Sequence, residues 1–206
     1  MYWEQPERMF GADLGPVVLK ALWRAGRAMT GRQVARVAGG SARGVLYVLD
    51  RLAQQGLVTR TTVGGATLNE LNRDHLMFPA LDAAFRLATP WETFAERVRA
   101  LTAEWFPDTP PTVAVFGSVA RREAEIDSDV DLLVVVDRLD DHAEDFRAHL
   151  SGLVRAWTGQ PAGIYLTTFE LLAEAVAADD PVIESFRADA ITIVGADVRT
   201  YLEGER

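Results

Sequence analysis

The feature that most restricts the fold of this chain is a pair of apolar, β-prone runs, with polar residues where one ends and the next begins. The first run, Thr112–Phe116, ends in Gly117-Ser118, and the second, residues 132–136, follows Asp129-Val-Asp131. Short runs rich in valine and leucine predict buried strands. Helical patterns flank both runs, so we expect an α+β protein whose C-terminal part is an α/β domain with a mixed sheet.

The polar residues at these strand ends are of the types that bind phosphate and a divalent cation. A glycine–serine turn that opens a helix lets backbone amides, a hydroxyl and the helix dipole approach a phosphate closely. Residues two apart on a strand point to the same face, so Asp129 and Asp131 present two carboxylates side by side. A divalent cation relieves their mutual repulsion. The pattern predicts Mg²⁺, or Mn²⁺, held by Asp129 and Asp131 together with substrate phosphates.

The complete motif resembles the signature of DNA-polymerase-β-like nucleotidyltransferases, in particular their small bacterial members, the minimal nucleotidyltransferases. Ten residues separate Gly117-Ser118 from Asp129-Val-Asp131. The resemblance implies that Gly117, Ser118 and nearby amides hold the β and γ phosphates of a nucleoside triphosphate, with ATP as the expected nucleotide. It also implies that Asp129 and Asp131 are the catalytic, metal-binding acids and that Arg121 contacts phosphate; an exposed helix surface is the alternative role for Arg121.

One acid of the family pattern is missing. The family has a further aspartate on a later strand, where it completes a metal site and helps to activate the nucleophile. In the stretch that corresponds, Gly163-Ile-Tyr-Leu, we expect Tyr165 to stand in its place. Glu170 or Asp127 are weaker substitutes. Binding of metal and nucleotide can survive this loss while transfer becomes slow or absent, so the sequence leaves enzymatic activity open.

The N-terminal third has the pattern of a different kind of domain. The sequence predicts two helices, a turn at Gly39-Gly40-Ser41, a third helix, and a two-stranded ribbon that turns at Gly64-Gly65. Thr30-Gly-Arg-Gln33 has the form of a capping box at the start of the second helix. This order is that of a winged helix-turn-helix, and residues 14–75 resemble bacterial regulators of the MarR and ArsR type.

The resemblance implies contacts between this domain and double-stranded DNA. The third helix would enter the major groove, and the wing and second helix would meet phosphates. The candidates on the third helix are Ser41, Arg43 and Tyr47; those for phosphate are Arg32 and Arg36 on the second helix with Arg60 and Thr62 on the wing. The alternative is that this domain dimerises or holds a protein partner, with its arginines on a solvated face. Because such domains usually bind two-fold sites, we expect a homodimer.

Charge and composition agree with two functional parts. Residues 1–75 carry a net charge of +4 and the other 131 carry −13, as expected for a basic module that binds nucleic acid beside an acidic domain. We expect a winged helix-turn-helix domain at 1–75, a helical connector at 76–108 and a nucleotidyltransferase-like domain at 109–206. The chain has no cysteine, which excludes disulfides and thiolate zinc sites, and it has neither the pattern of a signal peptide nor that of a membrane span. It is therefore expected to be cytoplasmic.

Three functions are compatible with these patterns. The first is a DNA-binding transcriptional regulator whose C-terminal domain binds nucleotide and metal as a sensor. The second is an active nucleotidyltransferase that transfers a nucleoside monophosphate to a protein, a nucleic acid or a small molecule and releases pyrophosphate. The third is an antitoxin-like protein whose acidic domain holds a toxin partner.

Overall fold

The computed structural model describes residues 1, 3–10 and 14–202, and for residues 9 and 10 only the backbone. The chain divides into two units, Gln5–Thr89 and Met1–Glu4 with Pro90–Arg206. This division falls inside the predicted connector at 76–108: its first helix belongs to one unit and its second helix to the other.

The Gln5–Thr89 unit contains three helices and a hairpin in the predicted order, together with a short strand that the sequence did not predict. A 3₁₀ helix at Pro6–Phe10 comes first. The elements that follow are α1 (Leu14–Ala25), β1 (Met29–Thr30), α2 (Gly31–Ala38), α3 (Ala42–Gln54), β2 (Val58–Val63), β3 (Ala66–Leu71) and α4 (Phe78–Leu87). The three strands form an antiparallel sheet in the order β1-β3-β2.

Local hydrogen bonds fix the helix boundaries in this unit as the sequence predicts. The Thr30 hydroxyl accepts from the backbone N–H of Gln33, and the Gln33 side chain in turn accepts from the backbone N–H of Thr30. Ser41 caps α3 by accepting from the backbone N–H of Gly44. These bonds satisfy amides that have no partner within the helix. The apolar stripe of α3 is buried in the core of the unit; it consists of Val45, Val48, Leu49 and Leu52.

The second unit is built around a four-stranded sheet. Its elements are α5 (Pro90–Trp105), β4 (Thr112–Phe116), α6 (Gly117–Ala120), β5 (Val130–Val136), α7 (Asp141–Thr158), β6 (Ala162–Thr168), α8 (Phe169–Ala177), α9 (Pro181–Asp189), β7 (Ile191–Val194) and α10 (Arg199–Leu202). The strand order is β6-β5-β4-β7. Strands β5 and β6 are parallel, while β4 is antiparallel to both β5 and β7. The mixed sheet and the α+β architecture are therefore as predicted.

Apolar residues cover both faces of this sheet, as the near-continuous apolar sequence of β5 requires. Leu132 and Val134 belong to the core that contains residues of α5 and α7, whereas Leu133 and Val135 belong to the core that contains residues of α8, α9 and α10. Because side chains alternate along a strand, Asp131 lies on the same face as Leu133, at the beginning of β5. The start of β5 thus brings a carboxylate to the edge of the second core.

Candidate nucleotide and metal site

The turn between β4 and α6 is shaped around the side chain of Asp131. Gly117 adopts a φ of +71°, in the left-handed region that disfavours L side chains. It also lies directly against the Asp131 carboxylate: a Cβ at position 117 would collide with Asp131 Oδ2. Both observations favour glycine here, because any other residue would strain the backbone and would force the Asp131 carboxylate to shift. The turn and the second aspartate of the motif are therefore in direct contact.

Asp131 is the central residue of the site. In the sheet it pairs with Phe116 on β4 and with Gly163 on β6. A Cβ at Gly163 would lie 2.8 Å from Asp131 Oδ1, which is closer than carbon and oxygen normally approach. The half-buried Asp131 side chain thus stands between two glycines, Gly117 on one side and Gly163 on the other.

The charges around Asp131 are predominantly negative. Asp129 is exposed and immediately precedes β5. Burial, and then the negative charges of Asp129 and Asp189, raise the pKa of the Asp131 carboxyl, while Arg121 opposes this effect. A like charge and a poorly solvated position both disfavour the ionised form. A cation at this position would relieve the same repulsion, so the charge distribution suits a divalent metal ion.

Asp189 is a site residue that the sequence analysis missed. Its Oδ1 accepts a hydrogen bond of 3.0 Å from the backbone N–H of Gly117, and its Oδ2 forms an ion pair with Nη1 of Arg121. Arg121 also donates from Nε to Glu123 at 2.9 Å, and the pKa of its guanidinium is raised by Glu123 and Asp189. Asp189 is the last residue of α9. The Asp180-Pro181 pair, an N-cap followed by proline, is the signal that would have located this helix.

The expectation that Tyr165 takes the place of the missing acid is revised. Tyr165 pairs with Leu133, two residues further along the sheet from Asp131, and its ring lies 5.5 Å from that of Phe186 in an apolar core. The residue of β6 beside Asp131 is Gly163, which carries no carboxylate. Of the two weaker substitutes, Glu170 is exposed in the first turn of α8 and Asp127 is exposed in the turn before β5.

The donor set fits magnesium held jointly with phosphates. Within the part of the chain that the structure describes, no group of three or more histidines and acids is placed to hold a metal ion. Magnesium in phosphoryl- and nucleotidyl-transfer sites usually has only one or two protein carboxylates, with phosphate oxygens and waters completing its octahedron. Asp129 and Asp131 supply that number beside a turn suited to phosphate.

Part of the unit that contains the site is similar to a known protein family. Residues 99–177 match the family model described as a nucleotidyltransferase domain. The chain carries a nucleotidyltransferase domain. The match contains Gly117, Ser118, Arg121, Asp129 and Asp131, and it ends before Asp189. The search of the curated proteins and that of the solved structures gave no match to the chain.

The predicted DNA-contacting residues lie on exposed positions of the other unit. Arg32 and Arg36 are exposed on α2, Arg43 and Tyr47 are exposed on α3, and Thr62 is exposed on β2. Tyr47 is 63% exposed, and the Arg51 guanidinium carbon lies 5.9 Å from the centre of its ring.

Two of these residues have structural partners. Ser41 is engaged as the N-cap of α3. Arg60 donates to Asn69 Oδ1 at 3.0 Å and forms an ion pair of 2.5 Å with Asp50 of α3. The Asp50 carboxylate offsets the charge of Arg60. Among the described helices, none is long and apolar enough to cross a membrane.

Proposed function

We propose that the nucleotidyltransferase domain binds a nucleoside triphosphate, with ATP as the first candidate, together with Mg²⁺. The observation that carries this proposal is the direct packing of the Asp131 carboxylate against the Gly117 turn. The residue types suited to a metal ion and those suited to phosphate thereby share one site. Asp129, whose charge acts on Asp131, supplies the second carboxylate.

Each site residue has a distinct role in this proposal. The Ser118 hydroxyl and the amides that follow Gly117, whose own N–H is donated to Asp189, hold the β and γ phosphates. Arg121 offsets their charge, and Asp129 and Asp131 hold the cation. When bound, Mg²⁺ neutralises phosphate charge and aligns the α-phosphate. The half-buried position of Asp131 strengthens these electrostatic interactions because solvent screens them less.

Nucleotidyl transfer is the second candidate activity of this site. The match to a nucleotidyltransferase family and the complete Gly117-Ser118 and Asp129/Asp131 set favour it. The glycine at position 163 argues for a slow reaction, since β6 has no carboxylate beside Asp131 to help activate a nucleophile.

Labelled nucleotides distinguish binding from transfer. The protein is incubated with Mg²⁺, a cell lysate as the source of acceptors, and ATP, CTP, GTP or UTP labelled at either the α or the γ phosphate. If the protein transfers nucleotides, the α label is retained covalently and the γ label is released as pyrophosphate. Neither the retention nor the release should occur with the Asp129→Asn/Asp131→Asn variant. Binding without retention of either label would support a nucleotide sensor instead.

For the Gln5–Thr89 unit we propose a winged helix that binds double-stranded DNA as a homodimer, which would make the chain a transcriptional regulator. The supporting observations are the order of its helices and hairpin and the exposure of Arg43 and Tyr47 on α3. Recognition helices of this class present such residues to the major groove.

Substitution of Arg43 tests the DNA interface. A DNA fragment is first selected from random sequence by the unaltered protein. Arg43→Ala should weaken binding to it by about 1–3 kcal/mol if Arg43 contacts a base edge. Arg86→Ala, which removes an arginine that pairs with Asp82 on α4, is the control. Equal affinity of all three proteins would count against this surface, and light scattering that shows a monomer with and without DNA would refute the dimer.

A further inference from the structure

The strongest unexplained feature of the unit that contains the site is the carboxylate of Asp189. Its side chain is only 7% exposed, yet it is a charged group that no family match covers. Both of its oxygens have partners, the backbone N–H of Gly117 and the guanidinium of Arg121. Hydrogen bonds of this kind, in which one or both partners are charged, are among the strongest in proteins.

We propose that Asp189 is a positioning residue that holds the Gly117 turn and the Arg121 side chain in the geometry that receives the triphosphate. This inference rests on the proposed function of the site. It adds a residue from α9, far along the chain, to the residues that prepare the phosphate-binding turn.

The local structure explains why such an anchor is needed. Helix α6 has four residues, and left-handed backbone occurs at both of its ends: its first residue, Gly117, has φ +71°, and Arg122, two residues after its last, has φ +62°. So short a helix gains little stability from its own hydrogen bonds. Asp189 accepts a hydrogen bond from Gly117, the first residue of α6, and pairs with Arg121, the residue after its last. These two interactions hold both ends of α6 against α9.

Arg121 pairs with two carboxylates at once, through Nε with Glu123 and through Nη1 with Asp189. Glu123 is exposed, whereas Asp189 is nearly buried at the site. Without the charge of Asp189, pairing with Glu123 alone would direct Arg121 toward solvent. A guanidinium has five N–H donors, so pairing with both carboxylates still leaves donors for phosphate oxygens.

Positioning is favoured over direct metal binding by Asp189. Both of its oxygens already accept hydrogen bonds from donors of the protein, and no group of three acids and histidines in the described residues is placed for a metal ion. We also do not expect phosphate to displace Asp189 from Gly117 and Arg121, because a buried carboxylate that loses its partners destabilises the folded protein.

A double-mutant cycle tests the proposal. The unaltered protein and the variants Asp189→Asn, Arg121→Ala and the double variant are titrated with MgATP, MgCTP, MgGTP and MgUTP by calorimetry. We expect each single change to weaken binding of the preferred nucleotide about tenfold, and the double change to weaken it hardly more than Arg121→Ala alone. Glu184→Gln, which removes an exposed acid from the same helix, is the control and should bind as the unaltered protein does.

The outcomes separate this inference from the proposed function. If the unaltered protein binds nucleotide and Asp189→Asn binds equally well or more tightly, the positioning role is refuted and the binding function stands. Losses that multiply in the double variant would also refute it. Asp189→Asn keeps an oxygen that can accept from the Gly117 N–H, so the proposal requires its effect to act through the lost pair with Arg121. If no protein binds nucleotide, both proposals fail. Should circular dichroism show that Asp189→Asn is unfolded, Asp189→Ser replaces it in the cycle.

Discussion

Substitution of Gly117 by alanine tests the contact on which the site depends. The change has two expected effects. A residue with a Cβ pays about 1–2 kcal/mol to occupy the left-handed region, and the new methyl group collides with the Asp131 carboxylate. Overpacking of this kind typically costs about 1–3 kcal/mol. We therefore expect Gly117→Ala to lower the free energy of unfolding by the sum of these contributions.

Gly159 provides a matched control for the backbone contribution. It ends α7 in the same unit with a φ of +75°, and a Cβ there would meet no atom within 4 Å. Gly159→Ala should therefore reproduce the backbone strain without the collision. The difference between the two variants, about 1–3 kcal/mol, measures the contact with Asp131.

The Asp131→Ala background removes the collision and completes the test. The nearest remaining atom of residue 131 would be its Cβ, 3.5 Å from the new methyl group, which is an ordinary contact. In that background Gly117→Ala should destabilise no more than Gly159→Ala. Urea unfolding followed by tryptophan fluorescence is a suitable assay, since four of the five tryptophans lie in this unit. Equal losses for Gly117→Ala and Gly159→Ala in the unaltered background would refute the contact.

Two further predictions concern ionisation and packing. Burial and the charges of Asp129 and Asp189 raise the pKa of the Asp131 carboxyl. In a titration without metal, followed by carbon-detected NMR, Asp131 should therefore take up its proton at a higher pH than an ordinary aspartate does. Asp129→Asn removes one of these charges and should shift that midpoint to lower pH; an unchanged midpoint would contradict the coupling. Gln160→Ala should lower the free energy of unfolding by about 1–3 kcal/mol, because Gln160 accepts from the buried Trp3 indole N–H at 2.9 Å and donates to the Glu125 carbonyl at 2.8 Å. If the free energy of unfolding fell by less than about 0.5 kcal/mol, as for ordinary surface substitutions, the hydrogen bonds of Gln160 would not contribute to stability as predicted.

Features that depend on near neighbours in the chain were predictable from the sequence. The capping box of Thr30 and Gln33 and the Ser41 cap each join residues three apart, so their spacing alone identifies them. The buried stripe of α3 follows from helical periodicity in the same way. The motif of Gly117-Ser118 and Asp129/Asp131 was also predictable, because adjacent strands bring the polar residues at their ends close together.

Features that depend on strand register or distant contacts were not predictable. A local motif predicts that Tyr165 stands in place of the missing acid, but the register of β5 and β6 places Gly163, not Tyr165, beside Asp131. A shift of two residues along a strand keeps the same face, so the pattern of apolar residues cannot distinguish the two. Asp189 reaches Gly117 across 72 residues of sequence. Neither its charge nor its neighbours in the chain indicate this contact.

The most direct test of the central claim is magnesium-dependent binding of a nucleoside triphosphate to the site around Asp131. Equilibrium binding of ATP, CTP, GTP and UTP is measured with and without Mg²⁺ for the unaltered protein and for Asp129→Asn/Asp131→Asn. Asp137→Asn, which changes an exposed acid just beyond the other end of β5, is the control. We predict saturable binding that requires Mg²⁺, persists in the control and is lost in the double variant. Binding that is indifferent to Mg²⁺ or to both aspartates would contradict the proposed site.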